Sequence, residues 1–140
     1  MAAEERYPRP RPTGLDKPYW QALRREDLAL QTCLECGTFQ WFPRATCTSC
    51  YAERLAWQSV DPRGTVFTYT VTHQRVGFAF DKHAPYIVAV VEFPVPGTVR
   101  MAGVLRGVAA EEVRIGLPVR AAFRHGGTDD DETVLEFVPQ

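Results

Sequence analysis

Leu30-Gln31-Thr32-Cys33-Leu34-Glu35-Cys36-Gly37 and, after a gap of ten residues between the inner cysteines, Cys47-Thr48-Ser49-Cys50 decide how this chain folds. Each C-x-x-C unit turns two sulfurs toward one point. A hairpin that brings two such units together makes a tetrahedral four-thiolate site. Gly37 supplies the left-handed backbone that lets N–H groups face sulfur. Four thiolates leave no open coordination position, so the site reads as structural rather than catalytic. Cys33, Cys36, Cys47 and Cys50 are therefore expected to hold one zinc ion, with iron as the chemically feasible second choice. A dithiol redox pair would come as a single C-x-x-C beside a βαβ unit, which this pattern lacks.

Outward from the cysteines the chain alternates. Leu28, Leu30 and Thr32 lead into the first pair, Phe39 and Trp41 lead out of it, and Leu55 and Trp57 start a strand after the second. A ribbon this small cannot fold on apolar burial alone, which is the reason to expect a metal. Upstream, Asp16 and Pro18 suit the start of a short helix. Asp16 would cap free N–H groups, and Tyr19, Trp20 and Leu23 would share its apolar face. Residues 1–14, with Pro8, Pro10 and Pro12 alternating with Arg9 and Arg11, read as a flexible tail or linker.

Downstream of Gly64 the pattern is all β. Phe67, Tyr69, Val71 and His73 fall on one face of a long strand and Val66, Thr68, Thr70 and Thr72 on the other. Tyr86 to Phe93 is an apolar run, and Val99, Met101, Gly103 and Leu105 alternate. Ala109 to Arg114 suggests a short helix. Val119, Ala121 and Phe123 form a fourth strand, and Leu135 and Phe137 a fifth, after a polar turn at Asp129-Asp130-Asp131. Strand, strand, strand, helix, strand, strand is the order of a five-stranded OB-fold barrel. The expected fold class is mostly β. It has an N-terminal helix and rubredoxin-like zinc ribbon over residues 15–60, and an OB-fold barrel over 61–140.

Composition narrows function. The formal net charge is −1, which argues against a broad nucleic-acid footprint. No apolar stretch is long enough to cross a membrane as a helix, and the N-terminus lacks the apolar core of a secretory signal. Paired cysteines suit a reducing compartment, so a cytoplasmic protein is expected. His73, His83 and His125 accompany no nucleophile, and Ser49 and Ser59 lie in no G-x-S-x-G elbow. No catalytic residue is assigned.

The segments already quoted, together with Phe42-Pro43-Arg44, Gly64 to His73, Pro85 to Ala89 and Val113 to Val119, resemble in their order the DUF35 family. The likeness spans residues 15–138. It implies a helical N-terminus, a rubredoxin-like ribbon and an OB fold. It also implies a partnership with thiolase-like proteins that act on acyl-CoA thioesters, in which the small subunit helps shape the CoA entrance. One branch resembles a DUF35 domain fused to an enoyl-CoA hydratase-like subunit. That branch pairs with a lipid-transfer-like thiolase homologue for retro-aldol cleavage of steroid side-chain CoA thioesters. The Pro- and Arg-rich head is similar to an interdomain linker of that branch. Tyr51 departs from the family, where glycine commonly follows the last cysteine; the departure bears on the second knuckle's backbone and not on its ligands.

On this reading Trp20, Phe39, Trp41 and Phe42 form a partner surface, while Arg44, Arg75 and Lys82 meet CoA phosphates. His73 is expected to line a groove at the barrel mouth. The alternative is a single-stranded nucleic-acid module, which ribbons and OB barrels both support through aromatic platforms.

Overall fold

The computed structural model describes residues 9–75 and 83–140; Lys82 lies outside them. A 3-10 turn over Gly14–Asp16 runs into helix α1, Lys17–Arg24. Eight strands follow: β1 (Ala29–Cys33), β2 (Phe39–Gln40), β3 (Leu55–Ser59), β4 (Arg63–Thr72), β5 (Tyr86–Phe93), β6 (Val99–Leu105), β7 (Pro118–Arg124) and β8 (Val134–Pro139). The first three make a small antiparallel sheet in the order β2-β1-β3. The other five close into a barrel in the order β4-β5-β6-β8-β7, with β6 and β8 parallel and the remaining pairs antiparallel. That is OB-fold topology, and closure leaves the barrel no open edge.

The helix forms where the sequence places it, though Asp16 does not cap it. The Asp16 carboxylate accepts from Thr13 N at 2.6 Å and from Trp20 Nε1 at 3.1 Å, and so ties the entering chain to the first helical turn. Tyr19 and Leu23 are buried and Trp20 is half-buried. Burial pushes the Tyr19 phenol well above its ordinary pKa. One apolar cluster joins Tyr19, Leu23, Leu30 and Phe39 of the N-terminal part to Val66, Val91, Phe93 and Phe137 of the barrel.

The single faces expected for β4 require a correction. Between Val66 and Thr68 its register against β5 slips by one residue, a β-bulge that sends side chains after it to the other face. Phe67 points outward, where the Arg100 guanidinium lies 3.6 Å from its ring centre. Tyr69 pairs instead with the fully buried Ala89. Phe67 and Tyr69 therefore lie on opposite faces.

The helix expected over residues 109–114 is a turn. Glu112 N and Val113 N both reach Ala109 O, at 3.0 and 3.2 Å, and the segment goes no further. Gly107 and Gly116, both at positive φ, bound a stretch too short to repay helix nucleation. Val113 still plugs the barrel, 5% exposed.

The acidic turn is not simply solvated. Arg24 forks onto Glu132 with two contacts of 3.3 Å. Arg9 Nε lies 2.9 Å from Asp131 Oδ1, within ion-pair range though not aligned as a hydrogen bond.

Candidate metal centre and its surroundings

Two backbone turns of the same design carry the four cysteines. In the first, Cys33 N donates to Thr38 O at 2.9 Å and Gly37 N to Cys33 O at 2.9 Å. In the second, Cys47 N donates to Ala52 O at 2.8 Å and Tyr51 N to Cys47 O at 3.0 Å. The residue after each pair has positive φ, +76° at Gly37 and +64° at Tyr51. Tyr51 thus takes up the glycine's backbone role, and the second knuckle keeps its shape.

The four Sγ atoms lie within 4.8 Å of one another. Cys33 to Cys50 and Cys36 to Cys47 are each 3.6 Å apart. A tetrahedron with metal–sulfur bonds of about 2.3 Å needs edges of roughly 3.8 Å. The two 3.6 Å pairs lie close to that edge, and all four sulfurs are near enough to close on one cation. Cys33 and Cys47 are buried, whereas Cys36 and Cys50 sit toward solvent.

The electrostatics also fit a cation. The Thr38 hydroxyl, 3.2 Å away, and the Thr38 N–H pull the Cys36 thiol down to about 6. The backbone N–H groups of Cys50 and Ser49 lower Cys47. The Ala52 N–H pulls Cys50 down as well, but burial and the other three sulfurs outweigh it and push that thiol up to about 12. Crowding four sulfurs makes the last deprotonation costly, and a divalent cation at their centre would remove that cost.

A buried amide pair, which the sequence reading missed, supports this centre. Gln31 on β1 and Gln40 on β2 are each 5% exposed and hydrogen-bonded side chain to side chain. Gln31 Oε1 accepts from Arg44 N at 2.9 Å, and Gln31 Nε2 donates to Arg44 O at 3.0 Å. Gln40 Nε2 donates to Thr46 O at 3.3 Å, and its Oε1 accepts from Thr48 N at 3.0 Å. The two side chains thus hold the loop between the cysteine pairs and set where Cys47 sits. Their only sequence signal was polar side chains at strand positions flanked by apolar ones.

The aromatic face divides unequally. Phe42 is 67% exposed and stacks on Trp41, ring centres 4.8 Å apart; Trp41 in turn packs on Tyr19 at 4.4 Å. Phe39 is buried, against the expectation that it offers a surface, because the barrel's β5–β6 turn covers it. Phe39 N donates to Pro96 O at 2.8 Å there. Beside it a cleft of about 290 Å³ opens between β2 and that turn, with Trp41, Arg44, Thr98 and Arg100 on its walls. Arg44 is exposed at its rim. His73 and Arg75 are exposed beyond the end of β4, away from the metal centre in sequence and strand.

Known proteins share this architecture. A family model described as the ChsH2 rubredoxin-like zinc ribbon domain matches residues 20–56, and one for the ChsH2 C-terminal OB-fold domain matches 57–124. A probable enoyl-CoA hydratase alpha subunit of Thermomonospora curvata is 36% identical over 115 residues, covering 79% of this chain. The match spans about a third of that relative's length, 34%. A DUF35 domain-containing scaffold protein of Methanocaldococcus jannaschii is 31% identical over 107 residues, covering 75% of this chain and 73% of that one. Among solved structures, the Ltp2-ChsH2(DUF35) aldolase superposes with a TM-score of 0.80 at 27% identity, over 94% of this chain and 98% of the other. A DUF35 protein of Sulfolobus solfataricus, at 15% identity and a TM-score of 0.59 over 89% and 84%, shares the fold. With the ribbon, the closed barrel and these likenesses in agreement, the chain belongs to the DUF35 family.

Proposed function

We propose that this chain is a scaffolding subunit of an acyl-CoA-processing complex, without catalytic residues of its own. Its partner would be a thiolase-like, lipid-transfer-type protein, and the complex cytoplasmic. Retro-aldol cleavage of steroid side-chain CoA thioesters is the reaction we favour. The observation that carries the reading is near end-to-end likeness to the DUF35 chain of an aldolase complex. The exposed Phe42, stacked on Trp41, supports a protein-facing surface, because large aromatics left in water are characteristic of interfaces. Trp20, half-buried behind them, would hold that surface in place. Arg44 at the cleft rim, with His73 and Arg75 past β4, would meet the CoA moiety, since Arg forks match phosphate oxygens. The resident ion would be zinc, which the four-sulfur set accepts with no open position.

The alternative of single-stranded nucleic-acid binding draws on the Phe67–Arg100 stack. A chain of net charge −1 opposes it. The test is co-expression with a lipid-transfer-type thiolase homologue. The expected result is a stable hetero-oligomer that cleaves a steroid side-chain CoA thioester, with neither component active alone and one zinc per chain. A chain that stays monomeric beside such partners, or cleaves the thioester unaided, would refute the assignment.

A further inference from the structure

The outward face of the barrel's closing strands carries a concentration of arginine that the metal centre and aromatic face do not use. Strand register places it there. Arg63 on β4 pairs directly with Arg120 on β7, and Arg120 with Val138 on β8. One row on, Ala122, Glu136 and Val104 line up, and beyond them Arg124 pairs with Val134. Arg106, just past β6, reaches the same face and forks onto Glu136 at 2.8 and 3.1 Å. Arg124 meets the other side of that carboxylate at 2.7 Å. Arg63 is matched by Asp61 at 2.6 Å. Among the described residues, four guanidinium groups therefore share the face with two carboxylates, Glu136 and Asp61. Arg120 has no acidic partner among the described residues.

Two like charges directly opposite one another on a sheet are destabilising. Arg63 and Arg120 stand so, and only one of them is neutralised. We infer that this face docks an acidic segment of a protein partner, with Arg120 as the guanidinium left open for an incoming carboxylate. Two observations favour a protein segment over a polyphosphate. The face already holds its carboxylates by two-point forks, the geometry an incoming Asp or Glu would repeat. Its floor is apolar, made of Val104, Ala122, Val134 and Val138, all half-buried. The inference does not depend on the partner's being thiolase-like.

The test is fluorescence anisotropy of the intact, metal-loaded chain against a labelled short poly-glutamate peptide, at low and at physiological ionic strength. Binding at low salt that weakens as salt rises is expected. Arg120→Ala should lose roughly three- to fivefold in affinity, the range of one exposed charge pair. Arg114→Ala, an exposed arginine off this face, should change affinity less than twofold. Arg120 is exposed and outside the core, and an unchanged melting curve would show that its variant folds. The inference is overturned if the peptide does not bind at low salt, or if both variants lose affinity equally. It is also overturned if single-stranded oligothymidine of equal charge binds more tightly, or if the chain self-associates through Arg120 instead.

Discussion

At the scale of single residues the metal centre shows what a sequence reveals and what it hides. The four ligands are legible because tetrahedral sulfur chemistry fixes their spacing. Gln31 and Gln40 are not, because an amide inside an apolar strand pattern reads as an exposed position until the partner loop is known. Gln40→Leu would leave Thr46 O and Thr48 N unpaired beside Cys47. It should weaken metal affinity about tenfold or more without removing a ligand, the effect of loosening an outer shell. Competition with a metallochromic chelator measures this, and unchanged affinity would deny Gln40 that role. Tyr51 gives a prediction of opposite sign. A non-glycine residue at φ +64° is strained by about 1–2 kcal/mol, partly offset by the unfolded-state entropy a glycine adds. Tyr51→Gly should therefore raise stability by up to about 1 kcal/mol in chemical denaturation, provided its 77% exposed ring packs on nothing. Glu136 is a third case. Burial raises its carboxyl, but hydrogen bonds from Arg106 and Arg124 outweigh that and hold it below the ordinary range. A carboxyl lowered in the folded state stabilises above the unfolded-state pKa and loses that contribution as pH falls through the folded one. The wild-type chain should lose stability on acidification below about pH 4.5 more steeply than Glu136→Gln, as pH-dependent denaturation would record.

At the scale of elements the strands were legible and their faces only partly so. Period-two alternation locates β4, β6 and β7, whereas β5 is marked by an apolar run although its burial alternates, and β8 buries three residues in succession. The bulge after Val66 has no such signature: one extra residue reverses the faces without changing composition. β1 forms where the sequence places a strand, but alternation does not announce its complete burial. It is the central strand, with β2 and β3 at its sides, the core on one face and the glutamine-held loop on the other, so all five of its residues are buried. The turn at residues 109–114 occupies the helix's place in the barrel on one buried valine. The joint between ribbon and barrel is a further element-scale feature, and Gly97 controls it. Its φ is +93°, and a Cβ there would meet Thr38 Cγ2 at 2.6 Å and Phe39 O at 2.9 Å. Gly97→Ala combines backbone strain with overpacking, and should cost about 2–4 kcal/mol in denaturant unfolding. A neutral substitution would mean that the β5–β6 turn is free to move off β2.

Across the whole molecule the question is whether ribbon and barrel are one cooperative unit. Their apolar residues form one cluster, with Phe39 of β2 beneath the β5–β6 turn and Tyr19 and Leu23 packed on the same core. A backbone hydrogen bond also crosses the boundary, from Phe39 N to Pro96 O. Metal binding that orders the ribbon is therefore linked to the barrel, because the free energy of binding to the folded state alone adds to global stability. Stripping the ion with a strong chelator under reducing conditions should lower the melting temperature of the entire chain. Loss should appear as a single shifted transition in the near-ultraviolet signals of both parts, with Trp57 and Trp41 reporting on the ribbon. Two separate transitions, the barrel's unmoved, would show that the shared core couples them weakly. The direction follows from linkage: an ion held by four sulfurs that only the folded chain brings together adds its binding free energy to the folded state, so removing it must lower the melting temperature.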